Sequence, residues 1–283
     1  MADSKQVDAD EKSLRVKKME YLESVKTHKQ KIEEILASIK IIEKEVLKNT
    51  ELSNYGRLSI ANSYLNIVAI YCTMSDISLQ LLGVKNEGFL NEGRKYLYKI
   101  FSVLEDVVGD VIDAPLTEND EKLVTIDKLD DRKKLNLFKK LLDGIQSIED
   151  RFGANSKWKW SFVDLEGECS VVLKNMADFR SIQTKRDPRI PGYPERNEIL
   201  QLVKDNLRKA ADRYREKYEM TTHEPTEMKK AILFLAALQR IHILFNEPTE
   251  SEAVKKNIQI WQEKIDADLK KAEEDKKKKF GKK

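Results

Sequence analysis

Few residues in this chain are of a type that does chemistry, and their spacing suits few reactions. Gly88-Phe-Leu-Asn-Glu-Gly93-Arg94-Lys95 sets two glycines at the spacing of a phosphate loop. That loop needs Lys then Ser/Thr after the second glycine, and a strand before the first, so that backbone N–H groups converge on phosphate. Here Arg-Lys follows and an apolar helical pattern precedes, so the stretch reads as an ordinary helix turn. His223-Glu224-Pro225-Thr226-Glu227 opens like a zinc-protease helix, but its fifth residue is Glu and Pro225 breaks the face that both ligands must share. Di-iron bundles need Glu three residues before His. Val25, Met220 and Gln239 hold those positions before His28, His223 and His242. No Gly-x-Ser-x-Gly or Cys-x-x-Cys occurs. The sequence therefore nominates no catalytic residue, metal or cofactor, and the expectation is a non-enzymatic protein.

The remaining candidates are contact residues. Trp158 and Trp160 are two positions apart and point to different faces of a helix, which makes Trp160 an interface anchor if it lies off the core face. Residues 184–196 hold Pro188, Pro191 and Pro194, and Arg189 and Tyr193 within them would let an extended segment dock a partner. Lys276, Lys277, Lys278 and Lys279 form the densest basic run. It reads as a solubilising end or as a weak polyanion contact, for nucleic acid or an anionic membrane. Residues 270–283 carry eight Lys against three acidic residues in a chain of net charge +3, so the body is close to neutral and gives no footprint for base readout.

The elements that must position these residues are helices. Charged residues are 36% of the 283, well above the ordinary quarter, while Gly (10) and Pro (6) are scarce. This excludes a β-sandwich, a collagen-like chain and a disulfide scaffold. Tyr21, Val25, His28, Ile32, Ile35, Ile39, Ile42, Val46 and Asn49 alternate at spacings of four and three, a heptad seam on a helix over 13–49 roughly 55 Å long. Ile32, Ile35, Ile39 and Ile42 are its candidate interaction residues. The seam can pair between chains, giving a homo-oligomer, or lie along its own bundle. Ile35→Asp, alone or with Ile39→Asp, should break it.

Further helices are predicted at 57–82, 89–113, 117–129 (short), 131–151, 157–182, 196–219, 226–245 and 250–275. The first of these is apolar on more than one face and should sit centrally. In 157–182 a hairpin turning at Glu166-Gly167-Glu168 is the alternative to a helix. Glu-Pro-Thr-Glu at 224–227 and again at 247–250 marks two helix starts, the second with Thr249 and Glu252 as a capping box.

The expected fold is all-α with about eight helices, as an antiparallel bundle or irregular solenoid. Its expected parts are a coiled-coil-like helix (1–52), a bundle (53–183), a proline linker (184–196), a C-terminal helical subdomain (197–275) and a disordered basic tail (276–283). The apolar stretches 64–82 and 231–245 are interrupted by polar residues and read as core helices, not membrane spans. Cys72 and Cys169 lie far apart in apolar runs, which suits a reducing compartment such as the cytoplasm. The functional expectation is an adaptor, scaffold or structural subunit that meets a protein partner or its own copies through helical surfaces. The alternative is a nucleic-acid- or membrane-associated protein using the Lys-rich end.

Overall fold

The computed structural model describes the backbone of residues 2–48, 53–221 and 223–280, and side chains within 13–48, 53–221 and 223–274. The fold is all-α. Among the described residues there are ten helices and no strand: α1 (Ala2–Val46), α2 (Ser53–Leu82), α3 (Glu87–Val108), α4 (Asp120–Val124), α5 (Asp131–Phe152), α6 (Lys159–Met176), α7 (Phe179–Thr184), α8 (Tyr193–Met220), α9 (Pro225–Leu244) and α10 (Pro248–Phe280). They form two compact units. One combines Met1–Val107 with Asn136–Leu165, the other Val108–Leu135 with Glu166–Lys283. This interleaving differs from the expected bundle at 53–183 and boundary at 184–196. The excursion 108–135 belongs with the C-terminal helices, because Asn119 Nδ2 donates to Asn175 Oδ1 at 3.0 Å and Arg196 donates to Asp131 at 2.9 Å. The second of these bonds ties the end of the proline segment into that unit.

In the first unit α1 packs along α2. Tyr21 reaches Asn86 at one end and Val46 meets Gly56 at the other, so the two helices are antiparallel. The seam faces α2. Val25, Ile32 and Ile39 are buried, at 8%, 5% and 2% exposure, and Tyr21, His28, Ile35 and Ile42 are half-buried. Burying an Ile side chain contributes about 1.5–3 kcal/mol, so the seam is a main source of stability for this pair. Gly56 lies beyond the end of α1. It sits in the first turn of α2, where any side chain would collide with Val46. Among the described residues α2 is the one helix long and apolar enough to cross a membrane, and here it buries Leu58, Ile60, Ala61, Leu65, Ile67 and Val68 within the unit. Gly93 of α3 faces Ile148 of α5, and Tyr98 donates to the carbonyl of Ser161 at 3.0 Å.

In the second unit α8 packs on α9 and α9 on α10. Both Glu-Pro-Thr-Glu echoes begin helices with proline in the first turn, where a missing N–H is harmless. Pro194 likewise lies in the first turn of α8, so the proline segment ends in a helix at Tyr193 instead of running extended to 196. Thr249 lies inside α10, and Glu247 precedes it, so the expected capping box is absent.

Two helix boundaries differ from the expected ones for local reasons, and the second of them adds a helix. The helix expected to reach residue 113 stops at Val108, because Gly109 takes φ 84° and Lys122 Nζ donates to the Val108 carbonyl at 3.3 Å. The segment 157–182 divides at Ala177–Asp178, where Asp178 accepts from the Ser181 N–H at 2.8 Å and opens α7. No hairpin forms at 166–168. Gly167 is helical, and a Cβ there would stand 2.7 Å from Cε2 of Tyr214. Gly167→Ala should therefore destabilise the second unit by about 1–2 kcal/mol, the overpacking outweighing the roughly 1 kcal/mol gain in helix propensity. A thermal melt checks this, and an unchanged or raised midpoint would show that Tyr214 moves aside freely.

Candidate functional site

The second unit has an unusual polar centre. Lys174 follows Val171, Val172 and Leu173 on α6, so one helical run carries an ammonium into the core. It is 1% exposed, and its Nζ has no hydrogen-bond partner. Around it Asn175 Nδ2 donates to the Gly109 carbonyl at 2.9 Å, and Asn119 donates to Asn175. Arg240 forms a two-point pair with Asp113, Nε to Oδ1 at 2.6 Å and Nη2 to Oδ2 at 3.2 Å. Burial pushes the Lys174 pKa down to about 8, against the opposing pull of the Asp113 carboxylate. A cation without a partner at this depth is destabilising.

Arg196, Glu166 and His242, also buried in this unit, are paired. Arg196, 3% exposed, donates to Asp131 and to the carbonyls of Pro191 and Lys185. Glu166, at 7% exposure, meets Lys209 at 2.7 Å and Arg213 at 3.1 Å. Lys204 donates to both oxygens of Glu247 at 2.6 Å, and His242 Nδ1 lies 2.5 Å from the same carboxylate. Burial alone would push Glu247 up, but these bonds prevail and hold its carboxyl below the usual range.

Lys134 on α5 is a second exception. It is 7% exposed, and among the described residues its ammonium has no hydrogen bond or ion pair. It lines a cleft of about 280 Å³ with Asp120, Leu123, Val124, Asp127, Asp178 and Arg180. Burial lowers its pKa, opposed by Asp178, Asp131 and Asp130.

The residues nominated from sequence are not brought together. Ile32, Ile35, Ile39 and Ile42 pack within the chain against α2, so they are not a free contact surface. Trp160 is half-buried, with the Lys159 ammonium 4.6 Å from its ring centre. Its neighbour Trp158 lies under the Arg94 guanidinium at 4.0 Å. Arg189 is exposed but pairs with Asp187 at 2.6 Å, and Tyr193 is half-buried at the start of α8. The backbone at Lys276, Lys277, Lys278 and Lys279 belongs to α10, so the basic run begins in a helix and not in a disordered tail; their side chains lie outside the described residues. Of the histidines, His28 Nδ1 lies 2.7 Å from the Ser24 carbonyl and His242 bonds Glu247. His223 has φ 56° and stands before α9, off any helix. Cys72 and Cys169 are buried free thiols, and burial pushes Cys72 up to about 11.

What the sequence did not single out is the surface of α1 ahead of the α2 contact. Every side chain over 13–20 is exposed, and Leu14, Val16, Met19 and Leu22 are 47%, 52%, 67% and 60% exposed. The same half-helix, residues 13–31, carries six Lys or Arg and two Glu. The signal was present, since Leu14, Val16 and Met19 precede the first seam position and Leu22 stands beside it, but the seam drew the helix-period argument. Residues 17–269 match the TP0443 family. No curated protein and no solved structure matches the chain.

Proposed function

The chain belongs to the TP0443 family, and from that premise we propose that it is a non-enzymatic interaction protein, an adaptor or scaffold that offers the leading half of α1 to an acidic helical partner in a reducing compartment. One observation carries this reading. Over residues 14–22, α1 keeps four large apolar side chains, Leu14, Val16, Met19 and Leu22, exposed on a basic surface. Isolated helical turns are marginal in water, and a basic amphipathic helix is a frequent partner-binding element. Apolar contacts supply affinity there, while the lysines steer an acidic surface. A second copy of this chain would bring a like-charged segment, which disfavours pairing of α1 with itself.

The test is co-purification of the full chain from its own cells beside the Val16→Glu/Met19→Glu/Leu22→Glu variant. A stoichiometric acidic protein should accompany the unmutated chain and be lost from the variant, with helical content unchanged. Equal recovery with both chains would overturn the reading, and so would association with anionic vesicles but no protein.

A further inference from the structure

We propose that the cleft walled by α4, Lys134 of α5 and Asp178–Arg180 at the start of α7 is a binding site for a small zwitterion of the α-amino acid type. The site lies wholly within the second unit. Its key group is Lys134, more than nine-tenths buried and without a described partner. Unlike the Lys174 ammonium, which is sealed in the core, that of Lys134 is not among the fully enclosed atoms, and the residue lines the cleft. Burial strips this ammonium of much of its water while Asp178, Asp131 and Asp130 favour its charge without forming an ion pair, so an acceptor arriving from outside gains a charge-assisted bond. Arg180, exposed on the same wall, adds a second donor group suited to a carboxylate.

The opposite charge is present as well. Asp178 spends Oδ1 on the Ser181 N–H, and no described group donates to its Oδ2. Asp120 faces the cleft with no described partner for its carboxylate, and Asp127 adds a third acidic side chain to the lining. A simple anion bound at Lys134 and Arg180 would stand beside these carboxylates. A simple cation bound at the carboxylates would stand beside Lys134 and Arg180. A ligand with both charges a few atoms apart satisfies both sets, and each set rejects the singly charged competitor. Leu123 and Val124 supply an apolar wall for a side chain. The volume, about 280 Å³, falls just below the range of drug-sized pockets, about 300–1,000 Å³, and suits a ligand of amino-acid size.

Calorimetric titration of the full chain with each of the twenty protein amino acids, acetate and methylammonium tests this. At least one amino acid should saturate, and acetate and methylammonium should bind at least about tenfold more weakly. Lys134→Met should weaken the amino acid by at least about tenfold, and Arg180→Gln, at an exposed position that leaves the fold intact, should also weaken it. The proposal is overturned if no amino acid saturates by about 10 mM. It is equally overturned if acetate binds as tightly as the amino acid, or if binding survives both substitutions unchanged.

Discussion

Ile39→Asp should lower the stability of the first unit by about 4 kcal/mol or more while leaving the mass in solution that of the unmutated chain. Ile39 is 2% exposed in the seam that α1 presses on α2. Truncating a buried Ile to Ala already removes about 2–5 kcal/mol. The carboxylate adds the penalty of a charge carried into a buried apolar contact. Because α2 of the same chain supplies the other side of the seam, the loss appears as unfolding and not as dissociation. Urea denaturation followed by hydrogen exchange over residues 21–46 measures it. A loss below about 1 kcal/mol would show that α1 does not rely on α2. A fall in mass would show that the seam joins two chains. Met19→Asp is the matched control: at 67% exposure it should change stability by no more than about 0.5 kcal/mol.

Lys174→Met should act in the opposite direction and stabilise the second unit by about 3 kcal/mol at pH 7. Met keeps the unbranched shape of Lys and removes a charge that has no partner. The sign follows from linkage. The Lys174 pKa is depressed to about 8 in the folded chain from 10.5, so below pH 8 both folded and unfolded states carry the proton and the full burial penalty is present. Between pH 8 and about 10.5 the unfolded state binds more protons than the folded one, and the wild-type chain recovers stability as pH rises. The buried thiols and tyrosines titrate nearby, but they contribute to both proteins alike. The advantage of the variant should therefore be greatest at pH 7 and close as pH approaches 10.5. A variant that is less stable than wild type at pH 7, or an advantage that does not change with pH, would show that the Lys174 ammonium is satisfied in the folded chain.

These two residues show what a sequence can reveal. The α1 seam was legible because nine positions at alternating spacings of four and three leave no other periodicity. Its partner was not. α2 is apolar on more than one face, with Ile60, Tyr64, Ile67, Tyr71 and Met74 on one heptad stripe and Leu58, Ala61, Leu65, Val68 and Cys72 on another, so nothing local says which of its faces meets α1 or whether that helix belongs to the same chain. Helix ends set by distant contacts were equally hidden. Val108 ends α3 through a lysine fourteen residues on, and residues 157–182 divide because Asp178 caps a new start. The polar centre left one faint trace, a lysine directly after Val171-Val172-Leu173, which reads equally well as a surface residue until the helix is seen to be buried on all sides. Lys134 left none, since it stands in the charged run Asp131-Arg-Lys-Lys and only the packing of 108–135 into the second unit closes over it. The nominated Arg189 and Tyr193 rested on proline content, and Arg189 instead pairs locally with Asp187.

Hydrogen–deuterium exchange along α1 of the isolated chain tests the central claim most directly, that this helix is half structural and half free for a partner. The account predicts strong protection over residues 21–46, where the seam is buried, and exchange near the unprotected rate over 13–20, where every side chain is exposed. Protection over 13–20 equal to that over 32–46 would contradict it, because the leading half of α1 would then already be covered.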